Sequence, residues 1–143
     1  MKRHSIAIWN GNIKTGSGSL TTQSGVLDKN PYSFLTRFEN EDGRAGTNPE
    51  ELLAAGHAGC FTMALAFMLE GAGFSADEIQ TTATVDMHPV DGQPTITGIE
   101  LDMQAKIPGI DDTTFQGIAT NAKANCVVSR ALSVPVTLKA VLL

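Results

Sequence analysis

The chain has 143 residues, 42% of them hydrophobic and 17% charged, ordinary proportions for a single folded domain spanning 1–143 and unlike those of a disordered chain. Ten basic against fifteen acidic residues leave a net charge of −5, and no basic run is longer than Lys2-Arg3, so neither a nucleic-acid partner nor an anionic membrane surface is expected. Two cysteines, Cys60 and Cys126, are too few for a secreted disulfide scaffold and in a reducing compartment serve as core filler, metal ligands or redox groups.

The N-terminal stretch MKRHSIAIWNGN has a basic start but an apolar run too short for a signal peptide, which predicts a cytoplasmic protein. Ser5 to Asn10 reads as a short strand, and Trp9-Asn10-Gly11-Asn12 supplies a turn. Gly16 to Gln23 alternates weakly, and Gly25 to Pro31 is a loop. Tyr32 to Phe38 is expected to be a third strand, with Phe34, Thr36 and Phe38 on one face and Ser33, Leu35 and Arg37 on the other. Glu39 to Thr47 is a polar connection.

Asn48 to Gly73 then predicts one long helix. Asn48 can cap it, Pro49 suits its first position, and Glu51 completes a capping-box-like pair. From Leu52 to Leu69 only His57 and Thr62 are polar, so the helix is apolar on nearly every side and belongs in a core or a membrane. Acidic flanks at Glu50, Glu51 and Glu70 and a bare minimum of length argue against spanning. One small chain has trouble covering such a helix on all sides, which points to a second copy supplying the missing cover in an intertwined homodimer.

After the helix, Ala83 to Val90 and Thr95 to Ile107 alternate as strands joined through a loop at His88 to Pro94. The second is the clearer, with Ile99, Leu101, Met103, Ala105 and Ile107 on one face. Asp111 or Asp112 caps a helix running to about Asn125, Ser129 can cap a further turn through Leu132, and Val134 to Leu143 closes as a strand. Strands, helix, strands, helix and strand make an α+β order, not the alternation of a doubly wound parallel sheet.

Cys60 lies mid-helix among Gly56, Gly59 and Ala64, and Cys126 follows the second helix, where a chain end can move. Each alone reads as a small buried hydrophobe; together they fit an attacking and a resolving thiol. The attacking group must be a thiolate, so a nearby cation is needed. Arg37 is the candidate, with Glu50 able to fix its guanidinium through bidentate hydrogen bonds, against the plainer readings of a solvated charge and an acidic first helical turn. Glu50 and Cys60 stand about 15 Å apart along a straight helix, so either the helix breaks at Gly56 or Gly59, or Glu50 serves another subunit's thiol. The second agrees with the need for cover and predicts a site built across a dimer interface.

His57 and Cys60 share a helix face and with Cys126 can form a three-ligand metal or redox-sensing site, although a fourth ligand and any paired CxxC or HxxxH spacing are lacking. Otherwise His57 is a satisfied core or interface histidine. No phosphate loop, GxSxG or Rossmann glycine pattern is present in the sequence.

The stretch TNPEELLAAGHAGCF, Thr47 to Phe61, resembles the signature of the OsmC/Ohr family, and SGVLDKNPYSFLTRFEN, Ser24 to Asn40, resembles its OsmC branch. KANCVVSRAL, Lys123 to Leu132, resembles the second cysteine motif, and the likeness runs over essentially the whole chain. It implies an α+β fold of antiparallel sheets wrapping central helices in an intertwined homodimer, with active sites at the interface. It further implies a cofactor-free thiol peroxidase acting on organic hydroperoxides and less well on hydrogen peroxide. By the same resemblance Cys60 is the peroxidatic and Cys126 the resolving cysteine, Arg37 and Glu50 activate and orient the thiolate, and a lipoylated protein or dihydrolipoamide is the dithiol reductant. Phe34, Phe38, Phe61, Met63 and Phe67 are candidates for an apolar pocket. One position departs from the pattern: the residue after the second cysteine, commonly proline, is Val127.

Overall fold

The computed structural model describes residues 1–40 and 42–143, which form two compact units, Met1–Leu52 and Leu53–Leu143. In the first, β1 (Ser5–Asn10), β2 (Ser17–Thr22) and β3 (Asn30–Tyr32) make an antiparallel three-stranded meander. The β1–β2 turn is held by Asn12, whose Oδ1 accepts from the Lys14 and Thr15 amides at 3.1 and 2.9 Å. Gly18 lies opposite Tyr32 with the phenol ring directly above it, so any side chain there would strike the ring. Trp9 packs on the same ring at 5.5 Å between centroids.

The expected strand over Tyr32 to Phe38 is instead a strand end followed by a short helix, α1 (Phe34–Phe38). The cause is local. Ser33 Oγ accepts from the Thr36 amide at 3.2 Å while Thr36 Oγ1 accepts from the Ser33 amide at 2.9 Å, a reciprocal cap that satisfies two helix-start donors. Phe34 and Phe38, one helical turn apart, then stack at 5.1 Å. β3 also begins earlier than expected, taking Asn30 and Pro31 out of the predicted loop. Among the described residues of this unit none is fully buried.

The long helix α2 (Pro49–Gly71) is unbroken through Gly56 and Gly59. Asn48 Oδ1 caps it by accepting from the Glu51 amide at 2.8 Å. Glu51 does not close the expected box: its carboxylate accepts from the Thr47 hydroxyl at 2.6 Å, a partner one residue further back. In the second unit His57, Phe61, Leu65 and Leu69, at successive intervals of four, form one buried stripe. Met63 and Phe67, on other sides of α2, are each 75% exposed in the chain. α2 is long and apolar enough to cross a bilayer, yet its stripe is packed into the protein core.

The second unit is built on a long hairpin, β4 (Glu78–Val90) and β5 (Gln93–Lys106). The expected loop from His88 to Pro94 contracts to Asp91-Gly92, both at positive φ (51° and 78°), the tight turn whose twist matches paired strands. Pro89 and Pro94 face each other at the hairpin's end, where missing amides cost least. α3 (Asp112–Asn125) starts at Asp111, whose carboxylate accepts from the Thr114 amide at 3.0 Å, and crosses over to β6 (Val136–Leu142). This crossover lets β6 run parallel to β5, so the fold is α+β as expected while this sheet is mixed rather than wholly antiparallel.

The alternating face of β5 lies over the α2 stripe: Leu101, Met103 and Ala105, with Ile107 just past the strand, pack with Phe61, Leu65, Leu69 and, from α3, Phe115, Ala119 and Ala122. Each large side chain so buried stabilises the unit by about 1.5–3 kcal/mol before chain entropy is counted. The same core fixes Cys126, which ends α3 and opens α4 (Val127–Ala131). The helical turn begins at Cys126 rather than at Ser129, because extended backbone at Cys126 (ψ 127°) ends one helix and restarts the next, with the Arg130 amide donating to its carbonyl at 3.0 Å.

Candidate active site

In the first unit, α1 and the start of α2 bring Arg37 and Glu50 together. Arg37 Nε donates to both Glu50 carboxylate oxygens at 3.2 Å, and Nη2 donates to Oε1 at 2.6 Å. This bidentate arrangement fixes the guanidinium plane, and Phe38 supports it from one side, its ring centroid 4.9 Å from Arg37 Cζ. Trp9, Tyr32, Phe34, Arg37, Phe38 and Pro49 line a cavity of about 220 Å³, mostly apolar, with the guanidinium and Ser33 among its polar lining. The pairing of Arg37 with Glu50 is as expected; its scaffold, a helix rather than a strand end, is not.

In the second unit, Cys126 Sγ lies 3.2 Å from Cys60 Sγ, and both thiols are free. Cys60 is half-buried on α2 and Cys126 is buried at the α3–α4 junction. Burial pushes the Cys60 thiol above its ordinary pKa; the Val128 amide pulls the other way, Cys126 adds to the rise, and the Val127 amide opposes it. Burial also acts to raise Cys126, but the Ser129 amide, the Cys60 thiol, the Ser129 hydroxyl and the Val128 amide outweigh it and bring that thiol below its usual value. No cationic side chain among the described residues is among the groups acting on either sulfur.

His57 does not join a metal site. Its Nε2 hydrogen-bonds Ser129 Oγ at 2.8 Å, and among the described residues no three His, Cys, Asp or Glu side chains converge as a ligand set. It is fully buried, and burial lowers its pKa. In the sequence Ser129 reads only as a helix cap. Its contact with His57, 72 residues away, has no local signal and comes from packing α4 against α2.

Two free thiols one hydrogen bond apart, on an α+β scaffold with a central apolar helix, define the class of two-cysteine thiol proteins. The particular family follows from comparison: residues 40–140 match the OsmC-like protein family, and the chain belongs to it. It is 52% identical over 132 residues to the protein named peroxiredoxin OsmC of Escherichia coli (strain K12), covering 92% of this chain and 90% of the relative. It is 31% identical over 116 residues to the organic hydroperoxide resistance protein OhrB of Bacillus subtilis (80% and 81% covered). The crystal structure of OhrB superposes with a TM-score of 0.69 over 98% of both chains, at 25% identity. The OsmC-like protein of Mycoplasma pneumoniae, at 15% identity, shares the fold with a TM-score of 0.77 over 100% of this chain and 98% of that one.

Proposed function

We propose that this chain is a cysteine-based peroxidase that reduces organic hydroperoxides to alcohols. The carrying observation is the 3.2 Å approach of Cys60 and Cys126, the spacing from which a disulfide closes with little motion. Cys60 thiolate attacks the terminal oxygen of the hydroperoxide, the O–O bond breaks, and the alkoxide leaves and takes up a proton as the alcohol. Cys60 is then a sulfenic acid; Cys126 thiolate attacks its sulfur, the S–O bond breaks, and the departing hydroxide is protonated to water. An external dithiol, of the dihydrolipoamide or lipoylated-protein type, supplies two electrons and two protons to restore the pair.

Within its own unit Cys60 is held protonated, so the attacking state needs a cation from elsewhere. Arg37, oriented by Glu50, is that cation, and it is delivered from a second copy of the chain. The unbroken α2 sets Glu50 and Cys60 of one chain far apart, and the apolar Met63 and Phe67 call for cover. The working molecule is accordingly a homodimer of single-domain 1–143 chains, cytoplasmic because its chemistry starts from reduced thiols. The guanidinium also meets the charge developing on the leaving alkoxide, and the apolar cavity beside Arg37 favours organic over hydrogen peroxide. The test is consumption of cumene hydroperoxide by purified protein with dihydrolipoamide: sustained turnover supports this reading, and no loss of peroxide with both thiols still titratable overturns it.

A further inference from the structure

His57, which is buried, and Ser129, which is half-buried, form a polar pair beside the thiols. His57 Nε2 and Ser129 Oγ are 2.8 Å apart, while His57 Nδ1 is buried with no partner. Those two facts fix the direction of the hydrogen bond. Were Nε2 the acceptor, the ring proton would sit on Nδ1 as a buried donor with nothing to bind; with Nε2–H donating to Ser129 Oγ, the orphan is only a lone pair, which costs less. The imidazole is therefore neutral and protonated on Nε2, as its full burial also requires. Ser129 Oγ, accepting from the ring, keeps its own proton to donate. Ser129 stands at the third residue after Cys126, in the first turn of α4, one helical turn from the residue that carries the resolving sulfur.

Resting on the peroxidase reading above, we propose that His57 and Ser129 form a relay, His57 Nε2–H to Ser129 Oγ and Ser129 O–H to Cys126 Sγ, that positions the resolving sulfur for disulfide closure. A serine in a helix otherwise turns its hydroxyl back to a carbonyl of the preceding turn. Donation from His57 orders the hydroxyl and polarises its O–H, strengthening the bond it gives to a thiolate. His57 keeps its proton throughout. The proton that Cys126 loses is balanced by the one gained by the hydroxide released from Cys60. The groups acting on Cys126 are Cys60, the Val128 and Ser129 amides and the Ser129 hydroxyl, with no charged side chain of the described residues among them. His57 and Ser129 are thus positioning residues for the second step.

The test separates the two steps. Reduced protein is mixed with one equivalent of cumene hydroperoxide, sulfenic acid is trapped with dimedone, and disulfide closure is followed by thiol loss. Ser129→Ala and His57→Leu should lower the ratio of closure rate to sulfenic-acid formation about tenfold, the worth of a hydrogen bond to an ionised group. Ser129→Thr and His57→Gln, which keep a hydroxyl and an N–H in place, should restore it, and the double variant should be no slower than Ser129→Ala. A wild-type ratio in Ser129→Ala, or additive losses in the double variant, overturns the relay.

A readout free of peroxide keeps the relay distinguishable from the parent reading. In Cys60→Ser, the thiolate absorbance near 240 nm reports Cys126 alone. Its titration should move to higher pH when Ser129→Ala or His57→Leu is added and return with His57→Gln. Failure of peroxide consumption with this shift intact overturns only the peroxidase reading; an unmoved titration overturns the relay.

Discussion

Cys126 Sγ stands 3.2 Å from Cys60 Sγ although 66 residues separate them in sequence. The core of α2, β5 and α3 presets this approach, so forming a disulfide of about 2.05 Å needs only a small shift at the α3–α4 junction. Val127, the first residue of α4, occupies the position where proline is best tolerated in a helix, yet its amide acts on Cys60. Val127→Pro removes that donor while stiffening the turn. Cys60 should lose thiolate at neutral pH and react with peroxide severalfold more slowly, roughly the effect of one hydrogen bond to a charged group. Single-turnover peroxide loss measures it; an unchanged rate would remove the Val127 amide from the account.

The role proposed for Arg37 and Glu50 separates catalysis from stability. Their ion pair is partly exposed, with Arg37 37% and Glu50 15% accessible, and exposed pairs contribute about 0–1 kcal/mol to folding. Arg37→Lys keeps the charge but cannot span both carboxylate oxygens. Peroxide turnover should fall about a hundredfold, the loss typical of a removed charge-stabilising donor, while the denaturation midpoint scarcely moves. Parallel activity and urea-unfolding assays decide between this and a merely structural pair.

The proposed delivery of Arg37 from a second copy gives a complementation experiment. Arg37→Ala and Cys60→Ser chains, each inactive alone, should regain activity when unfolded together and refolded, to about a quarter of wild type for random pairing in a two-fold dimer. Phe67→Glu, placing a charge on an exposed apolar face of α2, should yield monomers in sedimentation equilibrium and no complementation. Activity that persists in a monomer contradicts the shared site.

His57 carries a pH signature of its own. Burial lowers its folded-state pKa below the unfolded value of about 6.5, so the unfolded chain binds the extra proton first. The stability tied to the neutral ring is complete above about pH 6.5 and is lost as the pH falls from there through the folded pKa. His57→Gln, which does not titrate, should flatten that part of the stability-against-pH curve measured by urea unfolding between neutrality and pH 5.

Much of this arrangement is legible in the sequence because the signals are local and periodic. The apolar run of α2, the alternation from Ile99 to Ile107 and the Asp111 cap each match the observed elements closely. Tyr32 to Phe38 misleads because alternating aromatic residues satisfy a strand's period, while the deciding contacts are two hydroxyl caps at Ser33 and Thr36. At the hairpin, Pro89 and Pro94 obscure an Asp91-Gly92 turn that the dipeptide itself signals. The parallel placement of β6 depends on how a crossover helix packs, which no window of sequence reports. The same holds in the site: the two thiols and the Arg37–Glu50 pair can be read from residue types, whereas the His57–Ser129 contact exists only once α4 meets α2.

The central claim is that Cys60 and Cys126 act in sequence on one peroxide, and intact mass after a single equivalent of organic hydroperoxide tests it most directly. Reduced wild type should lose two hydrogen atoms and both titratable thiols, Cys126→Ser should gain one oxygen atom that dimedone captures, and Cys60→Ser should stay unchanged with the peroxide intact. Oxidation of Cys60→Ser at the wild-type rate, or an unmodified wild-type chain beside unconsumed peroxide, would contradict it.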